Sequence, residues 1–82
     1  MTLQLLYFAA VRELVGKDEE SVSVPSEVAT IGTLRHWIER EREPLRGRLG
    51  AVRLARNEEF ARDEDPISDG DVIALIPPVA GG

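Results

Sequence analysis

Only one stretch of this chain can form a helix long enough to cover a sheet, and that limit decides most of the architecture. From Thr30 to about Arg42, the residues Ile31, Leu34, Trp37 and Ile38 recur on one helical stripe, while His36, Glu39 and Arg40 point away from it. Thr30 is a suitable N-cap, and Glu43-Pro44 ends the helix because the residue before a proline is pushed out of helical geometry. The rest of the apolar residues fall mainly in short runs suited to strands. One helix covers one face of a sheet, so the apolar content of the other face becomes the question of interest.

Thr2 to Phe8 is the first such run, with Leu3, Leu5 and Tyr7 on one face and Gln4, Leu6 and Phe8 on the other. Ala9 to Val15 sets Val11, Leu14 and Val15 at helical spacing and closes on Gly16, which suits a left-handed helix end, so a short second helix is predicted. Ser21 to Val24 alternates and stops at Pro25, as a half-buried strand paired with or beside the first. Ala51 to Arg56 reads as a third strand, and Glu59 to Ala61 as a brief fourth reached through a turn at Asn57-Glu58. Asp63 to Asp71 is acidic and turn-rich around one apolar anchor, Ile67, and Val72 to Ile76 is a last strand apolar on both faces. A chain of 82 residues supports one core. The order predicts an α+β roll over residues 1–76, a mixed sheet of about five strands wrapped around one main helix plus the short one. Phe8, Phe60 and Ile76 fall on the side that the helix leaves open, which predicts an exposed apolar patch of the kind that binds a protein partner.

Composition removes several function classes. A formal net charge of −5 argues against nucleic acid, whose binding depends on lysine and arginine, and favours a basic protein surface as partner. There is no apolar run of membrane-spanning length and no secretion-signal pattern, so no membrane is expected. With no cysteine there is no disulfide, thiolate metal site or cysteine nucleophile, which makes a cytoplasmic location the simplest expectation. His36, the single histidine, lies opposite the apolar stripe with no nucleophile to serve and reads as a solvated helix residue. The acidic clusters Asp63-Glu64-Asp65 and Asp69-Gly70-Asp71 lack calcium-loop spacing and read as turn chemistry, so no metal is expected. No glycine-rich phosphate loop is present, so any nucleotide must be bound by another protein. Arg12-Glu13 and Arg56-Asn57 read as exposed charges of little energetic weight, and Trp37 as a core anchor.

The last six residues, Pro77-Pro78-Val79-Ala80-Gly81-Gly82, carry the sharpest functional signal. Two prolines fix φ near about −65° and launch the end away from the body as a projecting tail over 77–82. Gly81 and Gly82 lack Cβ, so the backbone there can pass a narrow passage and offer the Gly82 carboxylate to an enzyme.

Taken in order, the segments Tyr7-Phe8-Ala9, Arg12-Glu13-Leu14 with Gly16, Ala55 and Asn57 before Phe60, Ser68-Asp69-Gly70-Asp71-Val72 and the six-residue tail resemble the small subunits of molybdopterin synthase, a family of ubiquitin-like β-grasp sulfur carriers. The resemblance spans essentially the whole chain and departs at Ile76, where the family often has phenylalanine, and at Arg56, where a small apolar residue is common. It implies that an activating enzyme uses ATP to adenylate Gly82, that the acyl-adenylate becomes a thiocarboxylate, and that the sulfur goes to cyclic pyranopterin monophosphate to make the molybdopterin dithiolene. It further implies that Val79, Ala80 and Gly81, following Pro77 and Pro78, thread into the large synthase subunit of a heterotetramer, with Phe8, Phe60 and Ile76 at the interface. The chain itself binds no cofactor on this account. Two other classes stay open: a related carrier or modifier, serving thiamine thiazole, tRNA thiolation or isopeptide formation, and a noncatalytic β-grasp interaction module.

Overall fold

The computed structural model describes residues 1–78. The elements follow the order β1 (Thr2–Tyr7), α1 (Ala9–Val15), β2 (Glu19–Ser23), α2 (Ile31–Glu41), a 3-10 turn (Glu43–Leu45), β3 (Arg53–Arg56), β4 (Glu59–Phe60) and β5 (Val72–Ile76). They build a five-stranded sheet in the order β2-β1-β5-β3-β4, in which β1 and β5 run parallel at the centre and every other pairing is antiparallel. This is the α+β roll of a β-grasp fold, with α2 laid across one face.

The core comes from one parity of each strand. Leu3, Leu5 and Tyr7 of β1, Leu54 of β3 and Ile73 and Leu75 of β5 are buried against Ile31, Leu34, Trp37 and Ile38 of α2. Each large aliphatic side chain among them would cost about 2–5 kcal/mol to truncate to alanine. Thr30 caps α2 as its sequence position predicts. Its Oγ1 accepts the Thr33 N–H at 3.2 Å, and the Thr33 Oγ1 accepts the Thr30 N–H at 3.0 Å, so the two threonines form a reciprocal capping box. Gly16 ends α1 with φ 87° and donates its N–H to the Arg12 carbonyl at 2.8 Å. A Cβ at Gly32 would stand 3.2 Å from both Cβ and the carbonyl oxygen of Asp63, so glycine there lets α2 take the close backbone bond Gly32 N–H to Asp63 O, 2.9 Å.

Several boundaries differ from the sequence expectation. Phe8 is not in β1 but is the residue that starts α1, because its extended backbone leads into Ala9 at φ 48°. β2 begins two residues early, at Glu19, since antiparallel pairing to Leu6 extends it past the alternating apolar residues. Of the three apolar α1 positions only Val11 is buried, and Leu14 is left 39% exposed. Glu43-Pro44 does end the long helix, but into a 3-10 turn that buries Leu45, aided by a proline at the position where the missing N–H costs nothing. Trp37 is a core residue and His36 is exposed.

An apolar sheet face beside the base of the tail

The sheet face opposite α2 is built from the other strand parity. Leu6 of β1, Ala55 of β3, Phe60 of β4 and Val72, Ala74 and Ile76 of β5, with Phe8 and Glu58, line a depression of about 250 Å³. Its shape follows from residue size and register. Ala74 lies opposite Leu6 on one side and Ala55 on the other, and Ala55 lies opposite Phe60. Two small residues thus form the floor, and the larger ones form the walls. Phe60 is 55% exposed and Phe8 44%, values far above those of the core residues. The Arg53 guanidinium stacks over the Phe60 ring, 3.7 Å from its centre, and holds the ring in place on the short edge strand.

Phe8, Phe60 and Ile76, identified from sequence, are therefore brought together on one face, with Ile76 half-buried at its rim. Leu6, which the strand alternation places beside Phe8, belongs to the same surface, as do Ala55, Glu58, Val72 and Ala74, which the sequence pattern does not single out. The alternation of Val72 and Ala74 with Ile76, in a strand whose other parity is core, is the signal that points to two of these positions.

The turn that carries Phe60 is fixed by a buried carboxylate. Asp71, only 6% exposed, accepts hydrogen bonds from Arg56 Nε at 2.6 Å, Asn57 Nδ2 at 3.0 Å and the Ser68 N–H at 2.7 Å. Burial alone would raise its pKa, but these donors outweigh burial and hold the carboxyl below its ordinary value. Asn57 completes the clasp, donating its N–H to the Val72 carbonyl at 2.8 Å and accepting the Val72 N–H through Oδ1 at 2.9 Å. The expectation that Arg56-Asn57 is a loosely held surface charge is thus corrected: both side chains are bound to Asp71, across the β3–β5 pairing that a local sequence window does not contain. The acidic turns do serve turn chemistry, with Asp65 accepting the Arg62 N–H at 2.9 Å and Asp69 the Thr2 N–H at 2.6 Å.

A second polar cluster sits where β1, β2 and the end of α2 meet. Arg42 donates from Nε and Nη2 to the Glu20 carboxylate at 2.9 and 2.8 Å, and the Tyr7 hydroxyl donates to the same group. The Arg42 hydrogen bonds, against the opposing effect of burial and with help from Tyr7 and Lys17, hold Glu20 down at about 2. Burial and the adjacent carboxylate push the Tyr7 phenol up. This cluster secures the fold and lies outside the apolar face.

β5 runs from the apolar face directly into the tail. Ile76 lines the face, and Pro77 and Pro78 follow it at once, both lining a further depression with Val11, Leu45 and Leu49. Val79, Ala80, Gly81 and Gly82, the residues assigned to threading and to the chemistry, lie outside the described residues. Among the described residues no helix is long and apolar enough to cross a membrane.

The ThiS family model matches residues 5–82. The chain belongs to the ThiS family. It is 35% identical over 98% of its length to the molybdopterin synthase sulfur carrier subunit of Escherichia coli K12, of which 99% is covered. Solved structures share the fold. A chain of the complex of subunits 1 and 2 of the molybdopterin-converting factor from Helicobacter pylori superposes with a TM-score of 0.70 at 29% identity, each chain covered in full. The small archaeal modifier protein 1 of H. volcanii gives 0.82 at 26% identity, covering 95% of this chain and 98% of the other.

Proposed function

We propose that this chain is the sulfur carrier subunit of a molybdopterin synthase. The observation that carries the proposal is the placement of one apolar, uncovered sheet face on the strand that leads straight into Pro77 and Pro78. A partner seated on that face has the tail delivered to it from a fixed origin. Each extended residue beyond Pro78 adds at most about 3.3–3.6 Å of reach, so the position of Gly82 relative to the partner is set by the count of tail residues.

The chemistry starts on a separate activating enzyme, because the chain has neither a phosphate-binding loop nor a cysteine. There the Gly82 carboxylate attacks the α-phosphorus of ATP and expels pyrophosphate. Hydrosulfide, released from the sulfur donor, then displaces AMP, a far better leaving group than hydroxide, and leaves a thiocarboxylate. The face and tail next engage the large subunit, within a heterotetramer. The thiocarboxylate sulfur bonds to a carbon of cyclic pyranopterin monophosphate in place of an oxygen substituent, water cleaves the bond between that sulfur and the Gly82 carbonyl carbon to restore the carboxylate, and two such transfers make the dithiolene. Gly81 and Ala80 keep the tail narrow, and the body of the chain contributes docking rather than acid–base chemistry. The carrier works in the cytoplasm and binds no cofactor of its own.

The decisive test is reconstitution. Thiocarboxylated chain, large subunit and cyclic pyranopterin monophosphate together should give molybdopterin, and the carboxylate form should give none. Product formed without the large subunit, or equally from the carboxylate form, contradicts the proposal. The likeness to an archaeal modifier protein favours one second reading, isopeptide attachment of Gly82 to lysines, which would appear as higher-mass conjugates in the native host.

A further inference from the structure

The non-glycine residues with positive φ among the described residues all flank the apolar face. Ala9 (φ 48°) follows Phe8, and Asn57 (φ 49°) and Glu58 (φ 74°) form the turn that carries Phe60. A two-residue hairpin turn with positive φ at both positions is most easily made by Asn-Gly. Asn57 meets that requirement and is clasped by Asp71 and Val72. Glu58 stands where glycine would be free of strain, with a Cβ to place against the backbone.

The clasp on Asn57 holds the turn, but the Glu58 carboxylate is left without an ionic partner among the described residues. The two arginines of β3 that could neutralise it are otherwise engaged, Arg53 on the Phe60 ring and Arg56 on the Asp71 carboxylate. Glu58 nevertheless lines the apolar depression, whereas its neighbour Glu59 lines a different one. Backbone strain held in place by a surrounding clasp collects at sites that use it. Here it sets an uncompensated carboxylate at the edge of an apolar hollow.

We propose that Glu58 determines partner specificity on this face, by pairing with a lysine or arginine that the partner protein seats at the edge of the hollow. The proposal rests on the docking role of the face and names the chemistry that the face selects. A partner lacking a cation there must bury the Glu58 carboxylate unpaired, which is strongly unfavourable, so apolar or acidic counterparts are rejected. The chain's net charge of −5 adds long-range attraction toward a basic partner surface.

The test is titration of the complete chain against the large synthase subunit of the same organism at low and high salt. Four variants separate the effects. Glu58→Gln keeps length and strain but removes charge, Glu58→Gly removes both strain and charge, Glu58→Lys reverses the charge, and Phe8→Ala tests the face itself. Glu58→Gln and Glu58→Gly should each raise Kd about 5–20-fold at low salt, with the effect shrinking at high salt, and Glu58→Lys should raise it about 100-fold or more. Glu58→Gly should melt no lower than the wild-type chain, which shows that its weaker binding is not misfolding. Wild-type affinity for Glu58→Gln at both salts, with Phe8→Ala weakened, overturns the role of Glu58 and leaves the docking face standing. Wild-type affinity for Phe8→Ala overturns the face as well. Self-association of the free chain that Glu58→Lys abolishes would make a second copy the occupant and also overturn the proposal.

Discussion

Replacing Phe60 by alanine separates docking from folding, and its size follows from exposure. A phenylalanine side chain has roughly 150–250 Å² to bury. Since Phe60 is 55% exposed, about 100 Å² of that remains open for a partner to cover. At about 25 cal/mol per Å², and crediting the methyl that alanine keeps, the loss on binding is about 2 kcal/mol. That corresponds to roughly a 30-fold rise in Kd. The part of the ring already packed against Arg53 and the hollow contributes to folding instead, about 1 kcal/mol, or a drop in melting temperature of about 4–8 °C for a chain this small. Calorimetric titration against the large subunit at 25 °C, with thermal unfolding of the free variant, reads both quantities. Affinity within about twofold of wild type refutes the face as the docking surface. A fall in melting temperature of about 20 °C or more would instead make Phe60 a core residue.

The Glu20 cluster predicts an acid-sensitive fold. A folded-state pKa lowered from 4.5 to about 2 contributes stability that is complete above the ordinary value and lost as pH falls through that window. Glu20→Gln should therefore lose about 1–2 kcal/mol at pH 7 and show a flatter decline in urea midpoint on acidification than wild type. Parallel curves for the two proteins would contradict this. Asp71→Ala leaves Arg56 and Asn57 without their acceptor and should cost about 2–4 kcal/mol in urea unfolding. It should also loosen the Asn57–Glu58 turn, seen as faster amide exchange at Phe60, and an unchanged midpoint would show that the clasp carries no weight.

The parts of this fold legible in the sequence are those written in local periodicity. Leu3, Leu5 and Tyr7, and the stripe Ile31, Leu34, Trp37 and Ile38, repeat within a single element, so their burial and the covered sheet face follow from spacing alone. The open face was legible through Phe8, Phe60 and Ile76 because bulky apolar residues at the uncovered parity stand out. Ala55 and Ala74 did not stand out, since alanine at a strand position signals neither core nor surface until register places it opposite its neighbours. The polar clasps were hidden for a different reason. Arg42 meets Glu20 and Arg56 meets Asp71 across 22 and 15 residues, and such a pairing leaves no local pattern. The strain at Glu58 was equally out of reach, because Asn-Glu is not a sequence that announces a turn with two positive φ angles.

The most direct test of the carrier function is intact-protein mass spectrometry of the chain after incubation with the activating enzyme, ATP and a sulfur donor. Exchange of one carboxylate oxygen for sulfur adds about 16 Da, and acyl activation confines that change to the last residue. The wild-type chain should gain this mass on Gly82. A chain lacking Gly82 should stay folded and gain none, since its remaining carboxylate falls one residue short of the activated position. No mass gain in the wild-type chain, or an equal gain in the shortened one, would contradict the function proposed.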